Sequence, residues 1–502
     1  MNTHATSRLT PRTTTLAVFA PFGADAVLSG YPDGRTRQAA DHPIVARLQE
    51  VAATGVDVLL LIDRLHDDTH LVRITPGATT VEAAGKLDMR SPHTLADFIA
   101  LAQRHAPDSK LVLTIEGHGA GFVPELDRDE LARLEASASD HPYEWREEGG
   151  VMRAYHRRGE RAGHLVEHRG APVLPGGNPT LPGGNPTLPD SPMGMSTWAM
   201  GEALRLSGVP KLAVIHFNNC FNMSVEVLHT VAPHAEVATG YCNYNFFSAG
   251  QAYPAVFERL AAGGATPLQA GCWFAEENHR VLHAAGREPT VAGTVELARM
   301  AQVAAQVDAL SDALLELLRG ASAADRPRVV AKIRQAIRAS QQYDANGDDV
   351  LDAPDELTDL DSLAAELMAA DFGSPRVAAA ADGLRSALSG IKQYGDVGSP
   401  WMAPGVRWDF SSENLAMNIF LPDPLLNGLW DWRSQYYLDV NPDTTRPQPQ
   451  RRVIDFLKET DWVDFLLEYH RDTPLAGLRR AEPPRTPVVH APADPRRRRA
   501  RT

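Results

Sequence analysis

Lys110-Leu-Val-Leu-Thr-Ile-Glu-Gly-His118-Gly119 and Lys211-Leu-Ala-Val-Ile-His-Phe-Asn-Asn-Cys220 decide the reading of this chain. Each is a short apolar run of strand length that stops at a residue able to do chemistry. A histidine leaves the first run and a cysteine leaves the second. Strands of this kind alternate with amphipathic helical stretches along the first half, which is the pattern of a mainly parallel α/β sheet flanked by helices. In such a sheet the reactive groups gather beyond the carboxyl ends of the strands. If the two runs are neighbours, His118 and Cys220 emerge on one edge.

Outward from these strands, the spacing predicts further strands over 14–22, 56–62, 71–75, 236–241 and 416–421. It predicts helices over 42–53, 94–105, 196–206, 225–230, 295–318, 328–343 and 356–370, and a closing amphipathic segment over 453–469. The organisation expected is a disordered N-terminus (1–13), an α/β peptidase-type domain (14–255), a mostly helical C-terminal region (256–470) and a disordered basic tail (471–502). The tail ends Pro495-Arg-Arg-Arg-Arg-Ala-Arg-Thr502. Residues 140–192 read as a flexible insert. They are rich in Arg and His and then repeat Leu-Pro-Gly-Gly-Asn-Pro-Thr from Leu174 and again from Leu181, a composition that carries neither helix nor central strand. The insert is either a variable surface loop or a cleavable activation segment.

Bulk properties narrow the function. The 502 residues are 43% hydrophobic and 22% charged, as in globular domains. A net charge of −14 excludes broad nucleic-acid binding, which needs a basic surface. Three cysteines do not make a disulfide framework. No signal-type N-terminus or run long enough to span a bilayer is seen, so a cytoplasmic location with no membrane partner is the expectation.

The chemistry follows from the pair. A thiol near its ordinary pKa is a few per cent ionised at neutral pH. An imidazole can take that proton and return it to a leaving group. The amides of Gly119 and Cys220 are candidates for an oxyanion hole, and Gly117, Gly119 and Gly121 suit a loop that approaches a ligand closely. Taken singly, a strand-end histidine and a buried cysteine are more often structural. His216 reads as a packed histidine, and Cys242 and Cys272 as buried thiols.

A second constellation is Asp344-Ala-Asn346-Gly-Asp348-Asp-Val350-Leu-Asp352-Ala-Pro-Asp355. Oxygen donors fall at loop positions 1, 3, 5, 9 and 12, with the Val350 carbonyl at position 7, which is EF-hand spacing for calcium. Asp349 replaces the usual glycine at position 6, and Asp355 the usual glutamate at position 12. The other reading is an acidic helix-capping turn.

Taken in order, several segments resemble the clostripain family of cysteine peptidases, with its caspase/gingipain-like fold. They are Gly85-Lys-Leu-Asp-Met-Arg-Ser-Pro-His-Thr-Leu-Ala-Asp-Phe-Ile99, the His118-Gly119 strand, and Asn218-Asn-Cys-Phe-Asn-Met-Ser-Val-Glu226. Asp359-Leu-Asp-Ser-Leu-Ala364, Asn418-Ile-Phe-Leu-Pro422 and Thr460-Asp-Trp-Val-Asp-Phe-Leu466 follow. The resemblance spans about residues 14–470 apart from the insert. It implies a caspase-like fold and an endopeptidase with Cys220 as nucleophile and His118 as general acid/base. It also implies calcium dependence and a zymogen cut between the two. The caspase signature itself, with histidine about 50 residues before the cysteine, is not matched, because the insert widens the interval. Asn218 stands where the family has an aspartate that binds a basic P1 side chain, so a neutral polar or small P1 is the expectation, with Asn218 still lining the substrate pocket. Partners implied are a protein or peptide substrate and a regulatory protein. The alternative is a catalytically inactive caspase-like binding module.

Overall fold

The computed structural model describes residues 8–23, 26–30, 38–65, 67–126, 143–148, 151–156, 195–245, 248–286, 290–344, 351, 357–395, 408–422, 433–438 and 450–471. Nine strands form the central sheet: β1 (Thr14–Pro21), β2 (Asp57–Asp63), β3 (His70–Thr75), β4 (Ala78–Ala83), β5 (Lys110–Glu116), β6 (Leu212–Asn218), β7 (Ala235–Tyr241), β8 (Val291–Glu296) and β9 (Lys392–Gly395). Their order across the sheet is β9-β8-β7-β6-β5-β1-β2-β3-β4. The middle five pair in parallel. Antiparallel strands close both ends. The architecture is therefore the mainly parallel, helix-flanked α/β sheet read from the sequence.

Burial on both faces explains the near-continuous apolar strands. Leu111, Leu113 and Ile115 of β5 and Ile215 and Phe217 of β6 face one core. That core is completed by α2 (Pro92–His105), α3 (Thr197–Leu206), α4 (Val225–Val231) and α7 (Met300–Gly320). Val112 of β5, Val214 of β6 and Leu16 and Val18 of β1 face a second core. It is covered by α1 (Pro43–Ala53), α5 (Tyr253–Gly263) and α6 (Pro267–Gly286). Three more helices, α8 (Arg326–Ala339), α9 (Leu360–Ala369) and α10 (Pro375–Leu388), extend the first core outward. Local capping sets helix starts: Ser196 accepts from the Ala199 amide ahead of α3, and Ser91 from the His93 amide ahead of α2.

Several expectations need correction. Residues 8–13 are anchored: Leu9 is fully buried, and its backbone pairs with Ala265. The sheet and its first core run across residue 255, because β8 and β9 come from the region expected to be a separate helical domain. Val291-Ala-Gly-Thr-Val-Glu296 takes the strand conformation its β-branched residues favour, so α7 begins at Met300 and not at 295. The segment 453–469 is two helices, Asp455–Glu459 and Trp462–Tyr469. They break where the Thr460 hydroxyl turns back to the Phe456 carbonyl. Within the insert, Tyr143–Glu148 and Val151–His156 pair antiparallel, so this part is regular strand. The remainder of 140–192 and the tail beyond 471 lie outside the described residues. No helix among the described residues is long and apolar enough to cross a membrane.

Leu113 is fully buried in the strand that leads to His118. Leu113→Ala is expected to cost about 3 kcal/mol, read as a lower urea midpoint with an unchanged slope.

Candidate active site

Strands β5 and β6 pair in register, Thr114 with His216 and Glu116 with Asn218. Each chain then leaves the sheet at the same edge, carrying His118 and Cys220. The two loops meet through their backbones. A methyl group on Gly119 would lie 2.1 Å from the Cys220 carbonyl oxygen and 2.9 Å from its nitrogen, so only glycine allows this approach. Gly117 holds φ at +91°, the left-handed turn that swings the chain out of β5. Asparagines stitch the loops. Asn219 Nδ2 donates to the His118 carbonyl at 3.4 Å, Asn222 Oδ1 accepts from the Gly121 amide at 3.1 Å, and Asn222 Nδ2 donates to Asn219 Oδ1 at 2.8 Å. His118 is 6% exposed. With Gly119, Asn219 and Asn222 it lines a cavity of about 40 Å³ backed by Met89, Ile115 and Met200.

Cys220 is fully buried. Its sulfur accepts from the Asn245 amide at 3.2 Å and donates to the Asn245 carbonyl at 3.7 Å. Burial pushes the thiol up to about 12, against a smaller pull downward from the Asn245 backbone. At pH 7 about one thiol in 10⁵ is then ionised. The next residue, Phe221, has φ +61°. That conformation is strained for a bulky side chain.

Asn218 is also buried, and its amide is committed at both ends. Nδ2 donates to Glu116 Oε2 at 2.8 Å, and Oδ1 accepts from Asn245 Nδ2 at 2.8 Å. Burial raises Glu116 to about 7, opposed by hydrogen bonds from Tyr253 and Asn218.

A C-terminal segment straps both loops. Asn418 donates its amide to the Met223 carbonyl at 2.8 Å, and its Nδ2 to the Phe221 and Cys242 carbonyls, each at 2.9 Å. Arg433 is fully buried. Its Nη1 donates to the Ala120 carbonyl at 2.6 Å and the Phe122 carbonyl at 3.1 Å, and its guanidinium lies 4.7 Å over the Phe420 ring. Glu226, raised by burial, accepts from the Phe420 amide at 2.9 Å and the Tyr437 hydroxyl at 2.8 Å. Glu116, Asn222, Asn245, Asn418 and Arg433 were not singled out from the sequence. The asparagines clustered around the cysteine loop and after β7, at 218, 219, 222, 243 and 245, were the available signal.

Of the expected calcium ligands, Asn346, Asp348, Val350, Asp352 and Asp355 lie outside the described residues. Asp344 is fully buried and accepts from the Tyr244 hydroxyl at 3.0 Å, one residue before Asn245. The flanks differ from the helix pair expected. Helix α8 ends at Ala339, Gln342 bridges Thr358, and Leu357–Asp359 is a strand paired with Asn418–Phe420. Helix α9 starts only at Leu360, with Asp359 as its cap. Among the described residues no group of three or more His, Cys, Asp or Glu could hold a metal. His216 is a packed histidine: Nε2 meets Asn278 Nδ2 at 3.1 Å, the ring stacks on Phe274, and burial lowers it to about 3. Cys242 is a buried thiol that donates to the Ala416 carbonyl at 3.9 Å, and Cys272 is half-buried; neither is in a disulfide.

No protein-family model and no curated protein matches this chain. Among solved structures it is similar over most of its length to C11 cysteine proteases. An inactive zymogen C11 protease from Parabacteroides distasonis is 12% identical, covering 84% of this chain and 94% of that one, at a TM-score of 0.47. A secreted C11 cysteine protease from Bacteroides thetaiotaomicron, in complex with an irreversible peptide inhibitor, is 12% identical, covering 90% and 99%, at a TM-score of 0.48.

Arg433→Met leaves the Ala120 and Phe122 carbonyls without their charged donor. A loss of about 2 kcal/mol is expected, read by denaturant unfolding, with faster amide exchange confined to residues 117–123.

Proposed function

We propose that this protein is a cysteine endopeptidase in which Cys220 attacks the peptide carbonyl and His118 moves the proton. The observation that carries the reading is the meeting of the two loops at one sheet edge, Gly119 against Cys220. In this reading the Cys220 thiol, once uncovered, gives its proton to His118. The sulfur bonds to the carbonyl carbon, and the displaced electron pair settles on oxygen. The amides of Gly119 and Cys220 donate to that oxyanion, each donor being worth roughly 10²–10³ in rate. The imidazolium returns the proton to the departing amine as the C–N bond breaks. Water, deprotonated by His118, then cleaves the thioester and frees acid and thiol. Cleavage of the insert between the two loops belongs to the same proposal as the activating event. So does a P1 pocket built on Asn218, which requires its uncharged amide to exchange Glu116 or Asn245 for the substrate side chain.

Calcium fits as a regulator by the hard oxygen chemistry of its donors. Asp344, Asn346, Asp348, the Val350 carbonyl, Asp352 and Asp355 would hold it, and its positive charge would brace Asp344 beside the loop that covers Cys220. No step of the reaction runs through it.

The burial of the thiol favours a second reading, a caspase-like binding module without catalysis. A thiol-reactive peptide probe separates the two. The expected outcome is labelling of wild type at Cys220, none in Cys220→Ala, and a fall in kcat of at least ~10³-fold for that variant. Equal labelling of both proteins supports the module. Chelation with EGTA is expected to lower hydrolysis at least fivefold, with recovery on adding calcium, and indifference to chelator removes calcium from the proposal.

A further inference from the structure

One buried carboxylate lies at the root of the covered thiol and has no part in the reaction above. Glu116 ends β5, directly across from Asn218 at the end of β6. From it runs a chain of hydrogen bonds. Tyr253 on α5 donates its hydroxyl to Glu116 Oε1. Glu116 Oε2 accepts from Asn218 Nδ2, Asn218 Oδ1 accepts from Asn245 Nδ2, and the backbone N–H of Asn245 donates to Cys220 Sγ. All five residues are buried. The direction of the chain is a matter of chemistry. A carboxylate only accepts, so Asn218 must turn its NH₂ to Glu116 and its oxygen to Asn245. Asn245 must then answer with its own NH₂. Its Oδ1 is left over, a buried acceptor with no partner among the described residues. That is the residue expected of a relay whose polarity is imposed from the Glu116 end.

We propose that Glu116 is a positioning residue for the nucleophile: as an acceptor-only group it orients the Asn218 and Asn245 amides and so seats the Asn245 N–H on the Cys220 sulfur. The proposal rests on Cys220 being the reactive thiol. A seated N–H favours thiolate, because it donates to the charged form. The titratable neighbours cannot replace Glu116 in this role. Tyr253 and Tyr241 are raised well above the ordinary tyrosine range by burial. His216 is held neutral at about 3, and the thiol itself sits at about 12. His118, on the adjoining loop, and Asp344, held by the Tyr244 hydroxyl next to Asn245, are further titratable groups near the edge. Glu116, at about 7, is a carboxylate above neutrality and a carboxylic acid below it. Protonated, it gains a donor, and the direction of both amides is no longer dictated.

The test is alkylation of Cys220 by iodoacetamide across pH 6–9 in the full chain, with the modified site read by peptide mass spectrometry. Peptide hydrolysis is measured in parallel. Glu116→Gln keeps the shape but can donate as well as accept. We expect alkylation at pH 8 to slow about tenfold and kcat to fall at least tenfold with KM within threefold. Wild type is expected to show an excess pH dependence near 7, and the variant is expected to lose it. A neighbour acting only through its charge predicts the opposite sign, because removing a negative group eases thiolate formation and speeds alkylation. Unchanged or faster alkylation of a folded Glu116→Gln protein overturns the proposal. Should that variant fail to fold, Tyr253→Phe removes one donor from Glu116 and raises its proton affinity. The inflection is then expected to move to higher pH, and an unmoved inflection overturns the proposal equally. Alkylation needs no turnover, so slowed alkylation in a chain that hydrolyses no peptide keeps the relay and rejects the peptidase.

Discussion

The tightest approach of a glycine to another stretch of backbone among the described residues is that of Gly119 to Cys220. No side chain larger than hydrogen fits there. Everything else at this edge follows from it. The parallel register of β5 and β6 delivers the two chains side by side. The left-handed turn at Gly117 bends one toward the other. The asparagines at 219 and 222 then satisfy backbone groups that the approach takes away from water. Buried backbone groups without partners are costly. A cluster of short, two-headed amides is the economical answer, since each can donate and accept within a few ångströms.

The strap formed by Asn418 and Arg433 extends this logic over a long sequence interval. Asn418 closes on carbonyls of the cysteine loop, and Arg433 on carbonyls of the histidine loop. Neither pairing is of a kind that surface charges make. Arg433 is fully buried, and a buried guanidinium is tolerated when its donors meet fixed acceptors. The segment therefore belongs to the same cooperative unit as the sheet edge. This agrees with the continuity of the first core from β5 and β6 into α7, α9 and α10. A cut in the insert would leave this brace covalently attached to the cysteine half, while it still grips the histidine half.

The sheet and the two loops were legible in the sequence because their signal is local. Apolar runs of strand length end at His118 and Cys220, and a helix-like period precedes each. What could not be read was made by residues far apart in the chain. Arg433 looks like any charged residue until Ala120 and Phe122 are seen beneath it. Glu116 looks like the polar end of a strand until Tyr253 and Asn218 enclose it. The helices expected to frame Asp344 failed for a related reason. Leu357-Thr-Asp359 has a local preference weak enough for pairing with Asn418–Phe420 to override it. In the insert, the composition of the Pro-Gly repeat dominated the reading and concealed the alternating Tyr143–Glu148 and Val151–His156 pair.

A neutral, covered thiol poses a question of free energy, and magnitudes decide it. Ionising Cys220 where it lies costs roughly 4 kcal/mol more than ionising an ordinary thiol. A local opening of the surrounding loops that admits water while the Asn245 N–H stays on the sulfur can cost as little as ~1–3 kcal/mol. Opening first and ionising afterwards is therefore the cheaper order. It also uncovers the sulfur for a peptide, which ionisation in place does not. In the proposed peptidase the cover would keep the thiol inert until a substrate or an activating event opens it. The Tyr244 hydroxyl on buried Asp344, next to Asn245, gives that opening a physical handle. Whatever perturbs Asp344 acts within one residue of the backbone that hides the sulfur.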